Sequence, residues 1–281
     1  MISQFFLLVI PMCGIFLRWE SWNPMDTFGN FFQECPFFCL GRYNWEERKT
    51  KTEGESFLET CKVAGKNVTL FPAAQDRAPL VLLHTFEDEG ESVYRAVRTM
   101  TDADYSFAAI GGLRWADEMS PWESPPVFKG DTPFTGGADA YLAILTDKIL
   151  PEILSRLSAA PAYLALAGYS LAGLFAVYAS YRTASFSRVA SASGSFWFPG
   201  FMEFAEKHEA ASKPERVYFS LGDKESKTRN QILRTVENNT RTLEERFERA
   251  GAKTVFELNP GNHFQNATER MAKGIAWIIG A

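Results

Sequence analysis

The sequence predicts an α/β chain built on a doubly wound, mostly parallel sheet with helices on both faces. Three observations carry that expectation. Strand-like and helix-like segments alternate from residue 79 to the end, the pattern of parallel strands joined by covering helices. Residues 79–84 and 163–167 are continuous apolar runs of strand length, which suit strands buried on both faces. Between the second run and an apolar helical stretch sits Gly168-Tyr-Ser-Leu-Ala-Gly173, a tight turn between strand and helix.

The elements follow in order. Residues 57–63 and 67–71 read as a hairpin joined at Ala64-Gly65-Lys66. A strand at 79–84 leads to a helix near 92–100 and a strand at 105–110. Residues 111–137 hold many Gly and Pro residues and no clean period, so they read as a long loop of the kind that carries function. A helix at 139–157 should break at Pro151, because a mid-helix proline costs about 3 kcal/mol. Then come a strand at 163–167, a helix at 171–181, and strands at 188–192 and 217–221. A charged helix at 228–250 ends at Gly251, and a strand at 254–258 precedes a closing helix at 267–279. Residues 1–55 are rich in Phe and Trp without a period and read as an extension. Residues 56–281 form the α/β domain.

Composition narrows the function classes. The chain is 46% apolar and 22% charged, ordinary values that exclude disorder and coiled coil. Its net charge of −5 and the lack of a Lys/Arg run leave no electrostatic footprint for nucleic acid. The first 17 residues are apolar and uncharged, but no positive residue precedes them, Pro11 interrupts them and Arg18 follows. That is a poor export signal and short for a membrane span. The expectation is a cytoplasmic protein, with export or membrane anchoring through the apolar N-terminus as the alternative. Cys13, Cys35, Cys39 and Cys61 all lie in the first quarter. Their spacing matches neither a redox nor a zinc motif, so they read as reduced structural cysteines.

The turn at residue 170 has the properties of a nucleophile elbow. A serine there projects its hydroxyl from a strained bend, and its neighbours two residues away must be small to clear strand and helix. Gly168 and Ala172 meet that need, although Ala172 departs from a strict Gly-x-Ser-x-Gly pattern. The helix N-terminus places backbone N–H groups beside the serine oxygen. Any histidine mechanism must choose among His84, His208 and His263. In α/β-hydrolases the partners follow in the order Ser, acid, His, which selects His263 in the loop before the closing helix. His84 reads as a buried strand-end residue and His208 as solvated. The acid should follow the strand at 217–221, where Asp223 and Glu225 both stand, and spacing does not choose between them. Oxyanion donors would be the Leu171 N–H and an N–H from Thr85 or Phe86.

These pieces together resemble the esterase-D and enterochelin-esterase-like branch of the α/β-hydrolases. The matching stretches are Gly168-Tyr-Ser-Leu-Ala-Gly-Leu-Phe175, Ser191-Ala-Ser-Gly-Ser-Phe-Trp197, Leu221-Gly-Asp-Lys-Glu225 and Gly261-Asn-His-Phe264. Arg114-Trp-Ala-Asp117 with Ser120-Pro121 is similar to an R-x-x-D-x-[ST]-P loop, with one extra residue before the Ser-Pro pair. The resemblance covers about residues 57–281 and implies an α/β-hydrolase fold. It also implies acyl chemistry on a small-molecule ester, with no metal or organic cofactor, and it favours Glu225 as the acid. Acyl transfer, thioester hydrolysis and a non-catalytic binding role are the alternatives. Arg114, Trp115, Asp117, Trp122 and Trp197 are candidate substrate contacts, or else pin the loop and pack the core. Oligomeric state is not legible.

Overall fold

A computed structural model of the chain describes residues 46–48, 58–127 and 130–280. Strand β1 (Glu46–Arg48) lies within the segment the sequence reading treats as an extension, and it pairs antiparallel with β2 (Leu58–Val63). The expected hairpin joins β2 to β3 (Lys66–Phe71) through Ala64 at φ 50° and Gly65 at φ 81°. Two successive positive φ values match the right-handed twist of the flanking strands. The apolar N-terminus, Cys13, Cys35 and Cys39 lie outside the described residues. Cys61 is a buried free thiol, and burial pushes its pKa up to about 12.

Strand β4 (Leu80–His84), helix α1 (Gly90–Arg98) and strand β5 (Ser106–Gly111) follow. The long loop is not bare. It carries the short helix α2 (Trp115–Glu118) and a two-stranded ribbon of β6 (Glu123–Ser124) and β7 (Phe134–Thr135). Helix α3 (Ala138–Ile144) runs through a π turn at Leu145–Ile149 into α4 (Leu150–Leu154). The break expected at Pro151 takes this form: the ladder widens just before the ring, where a regular turn would press it against a carbonyl. Strand β8 (Leu164–Tyr169) leads into α5 (Leu171–Arg182) and β9 (Arg188–Ala192). Helix α6 (Phe201–Lys207) was not expected; its apolar residues Phe201 and Ala205 are buried. After β10 (Arg216–Gly222), helix α7 (Val236–Arg249) begins eight residues later than the sequence pattern suggests. The Asn230 carboxamide oxygen accepts the N–H groups of Ile232 and Leu233, and that local bonding competes with helix. Strand β11 (Lys253–Asn259) and helix α8 (Ala267–Ile279) complete the order.

The main sheet runs β1-β2-β3-β5-β4-β8-β9-β10-β11. The six strands from β5 to β11 in that order are parallel, and β1 to β3 add antiparallel at one edge. Every residue of β4 and β5 is buried, as continuous apolar strands require. One face packs under α3, α4, α5 and α7, the other under α1 and α8. The chain leaves β4 toward β5 on one side and returns to β8 on the other. That reversal opens a crevice at the carboxyl ends of β4 and β8, the place where α/β sheets bind ligands.

A buried ion pair fastens the long loop to the sheet. Lys66 Nζ on β3 lies 2.6 Å from Glu118 Oε2 on α2, and both side chains are under a tenth exposed. The Arg114 N–H also donates to Glu118, at 2.9 Å. Removing one member of a buried pair strands the other charge. Lys66→Met should therefore lower unfolding free energy by about 3 kcal/mol, and adding Glu118→Leu should restore most of it. Urea denaturation of the single and double variants measures both.

Candidate active site

The elbow is built by close approach. Ser170, between β8 and α5, has φ 59° and ψ −123°, a backbone region that costs a non-glycine residue about 1–3 kcal/mol. A Cβ on Gly168 would fall 2.3 Å from the backbone of Ala172, and one on Gly173 would fall 2.8 Å from Ser191 Oγ. The strand and helix thus touch where the sequence places its smallest residues, and Ala172 fills the second position without collision. The Ser170 N–H donates to the Ala192 carbonyl and its own carbonyl accepts from Ser195 N–H, which ties the turn to β9 and the following loop.

From Ser170 a line of hydrogen bonds crosses the strand ends. Ser170 Oγ lies 3.0 Å from His263 Nε2, and His263 Nδ1 lies 2.8 Å from Glu225 Oε2. His263 stands in the loop between β11 and α8, and Glu225 in the loop after β10. The Glu225 side chain is 5% exposed. Its Oε1 accepts from Gly222 N–H at 2.6 Å, Ser193 Oγ at 2.7 Å and Arg270 Nη1 at 3.0 Å. Arg270 on α8 is buried, which pulls its pKa down to about 10. It also donates to the Tyr169 hydroxyl and the His263 carbonyl, and Tyr169 in turn donates to that carbonyl at 2.7 Å. Asp223, the other candidate acid, does not face the imidazole. Its carboxylate accepts Gly261 N–H at 2.8 Å and its N–H donates to the Asn259 carbonyl, so it joins the two loops that carry Glu225 and His263.

The oxyanion candidates separate. Leu171 N–H opens α5 and has no intrahelical acceptor. Thr85 N–H donates to the Ile110 carbonyl at 3.0 Å, which corrects the expectation that it is available. Phe86 borders the cleft beside Ser170 and Leu171, and its N–H donates to Glu89 Oε1 at 2.9 Å.

The cleft in front of Ser170 has a volume of about 930 Å³ and takes in Arg114, Trp115, Asp117, Phe134, Trp197 and Phe264. Arg114 and Asp117 come together at the mouth of this cleft. They pair at 2.8 Å, Asp117 accepts from Thr135 Oγ1 at 2.5 Å, and both side chains border the cleft. The extra residue before Ser120 is absorbed by α2: Ser120 Oγ donates to the Ala116 carbonyl and accepts from Gly136 N–H. Trp115 meets Phe86 edge to face at 5.0 Å. Trp122 is a correction. It packs among Tyr178, Phe198, Phe201 and Phe204 with its indole N–H on the Pro199 carbonyl, outside the cleft. His208 stacks on Phe204 at 4.4 Å, away from Ser170. His84 is buried edge-on to Tyr141 and Phe175.

Sequence reasoning missed Arg270, Ser193 and Tyr169. Arg270 falls in the same helical stripe as Met271, Gly274 and Ile278, all buried. A cation within an apolar stripe was the available signal.

The family model Esterase matches residues 98–268. The uncharacterized protein YbbA of Bacillus subtilis is 25% identical over 174 residues, which covers 58% of this chain and 69% of that protein. Among solved structures, the chain is similar to an IroE-like serine hydrolase from Shewanella oneidensis, with TM-score 0.63, 16% identity, and 84% and 79% of the two chains covered. It is also similar to the BES protein from Bacillus cereus, with TM-score 0.62, 17% identity, and 85% and 96% covered. The siderophore hydrolase EstB from Aspergillus nidulans gives TM-score 0.56 at 18% identity, with 85% and 96% covered. At these identities the structural likeness establishes the α/β-hydrolase fold and nothing finer.

Two outcomes follow from this geometry. Glu225→Gln should lower the melting temperature, because it leaves the buried Arg270 cation without its carboxylate. Thermal melts measure it. The second concerns His84, whose imidazole burial pushes down to about 3. The unfolded chain takes up that proton below its ordinary value of 6.5 and the folded chain resists it. Stability from this group is complete above pH 6.5 and falls by up to about 1.4 kcal/mol per pH unit toward pH 3. His84→Leu should flatten that slope in denaturation measured across the window.

Proposed function

The chain belongs to the Esterase family, and from that premise we propose that it is a serine esterase that hydrolyses a small-molecule carboxylic ester through an acyl-enzyme on Ser170. The observation that carries this reading is the unbroken line from Ser170 Oγ through His263 to Glu225, at 3.0 and 2.8 Å, opening on the 930 Å³ cleft. That volume suits a drug-sized ester.

The chemistry follows from the contacts. His263 Nε2 accepts the Ser170 proton as Oγ attacks the ester carbonyl carbon. Glu225 accepts Nδ1–H, which holds the tautomer with a free Nε2 and stabilises the imidazolium. The new oxyanion takes the Leu171 N–H at the start of α5, with Phe86 N–H as second donor. Collapse of the tetrahedral intermediate breaks the bond to the alcohol, which leaves with the proton from His263. Water then enters, His263 takes its proton, and the same steps in reverse order free the acid and regenerate Ser170. Asp223 has no part in proton transfer; it keeps the two loops in register. The strained backbone at Ser170 holds the hydroxyl at the floor of the cleft, so the reaction begins with little reorganisation.

Ser170→Ala should leave the melting temperature unchanged and lower kcat on p-nitrophenyl acetate by about 10⁴-fold or more. A fluorophosphonate probe should label Ser170 in the wild type and nothing in the variant. Turnover above a tenth of wild type would remove Ser170 from the reaction.

A further inference from the structure

A second pocket, about 520 Å³, opens on the other side of Ser170 and His263. Glu89 borders it, together with Phe86, Trp115 and Met271. The Glu89 carboxylate at the rim is held by backbone donors. Oε1 accepts Phe86 N–H at 2.9 Å and Oε2 accepts Glu87 N–H at 2.8 Å, so one carboxylate covers two successive donors of the loop after β4. Thr85 N–H, bonded to the Ile110 carbonyl, supplies no substitute.

An amide N–H makes one well-aligned hydrogen bond at a time. The occupant of Phe86 N–H carries a full negative charge, and so does the tetrahedral oxygen that needs the same donor. Two anionic oxygens on one N–H repel each other. Local loop closure alone would also be served by a neutral acceptor, which would not oppose a developing oxyanion.

We propose that Glu89 is a displaceable carboxylate plug in the oxyanion hole, a device that governs the reaction at Ser170. The proposal rests on the reading of Ser170 as nucleophile with Phe86 N–H as an oxyanion donor. In the closed state seen here the hole offers Leu171 N–H alone. On attack the Glu89 side chain swings into water, and Phe86 N–H passes to the substrate oxygen. No covalent bond to Glu89 forms or breaks. Glu89 is half-buried at the rim, so its carboxylate has solvent to enter. Displacing it raises the barrier to attack while leaving substrate binding in the cleft largely untouched.

The test compares wild type, Glu89→Gln, Glu89→Ala and Glu87→Gln on p-nitrophenyl butyrate, with inhibition by butylboronic acid as a second readout. Boronic acids add to serine as tetrahedral anions and report on the hole without turnover. Removing the charge at residue 89 should raise kcat about 5- to 20-fold with little change in KM, and should tighten butylboronic acid by a similar factor, since both need an anion on Phe86 N–H. Glu87→Gln removes the same charge from the same exposed loop and should change neither by more than about twofold. The proposal is overturned if Glu89 variants with wild-type melting temperature show unchanged or lower kcat, or if Glu87→Gln gives the same gain. Should both variants melt early, Glu89→Asp, too short to reach Phe86 N–H, carries the same expectation. A wild type that neither hydrolyses esters nor takes a fluorophosphonate at Ser170 overturns the reading beneath the proposal. An active wild type without the gain overturns the plug alone.

Discussion

The buried contact between Arg270 and Glu225 holds the site together. Arg270 is 1% exposed and its guanidinium reaches Glu225, the Tyr169 hydroxyl and the carbonyls of Asn262 and His263. One side chain on α8 thereby joins the ends of β8, β10 and β11. A cation buried this deeply is costly unless its donors are met, so the surrounding acceptors are constrained to remain where they are. Gly222 shows how tight the constraint is: a Cβ there would lie 2.9 Å from Arg270 Nη1 and 2.5 Å from the Gly261 carbonyl. The position of the imidazole follows from this arrangement, since both the carboxylate it contacts and its own backbone carbonyl are held by the same guanidinium.

Around that centre the chain divides its labour between rigid strand ends and longer loops. The parallel sheet delivers Ser170 and Glu225 from the ends of β8 and β10, two strands separated by β9. The segment between β5 and α3 supplies the wall of the cleft, and it is pinned by charge and not by apolar packing alone. Lys66, Glu118, Arg114 and Asp117 form a chain of ion pairs from the sheet edge to the rim. The rim itself is aromatic. Phe86 and Phe264 remain 65% and 87% exposed, and both border the cleft in front of Ser170.

Much of this was legible in the sequence, for physical reasons. Apolar runs at β4 and β8 follow from burial on both faces, and the small residues around Ser170 follow from the contact between strand and helix. The position of His263 followed from chain order. What escaped was set by tertiary contact. Trp122 and Trp197 look alike in sequence, yet only Trp197 reaches the cleft, because Trp122 finds an acceptor in the Pro199 carbonyl. Asp223 and Glu225 could not be separated by spacing, because the choice depends on where the loop from β11 comes to rest. Arg270 looks like an ordinary helical cation until the acceptors around it are known. The late start of α7 reflects local bonding by Asn230 that periodicity does not register.

The separation of the site along the chain bears on how the protein reaches its native state. Ser170 and His263 are 93 residues apart, and Arg270 and Tyr169 are 101 apart. The contacts of Ser170 with His263 and of Tyr169 with Arg270 cannot form from a local segment, because each requires parallel strands with helices between them to have docked. Loop closure over such distances comes late and slows folding. Recovery of probe labelling at Ser170 during refolding would therefore trail the return of helical signal, and partly folded chains would hold Ser170 apart from His263. On this topology Ser170 and His263 would meet only in the step that completes the sheet between β8 and β11.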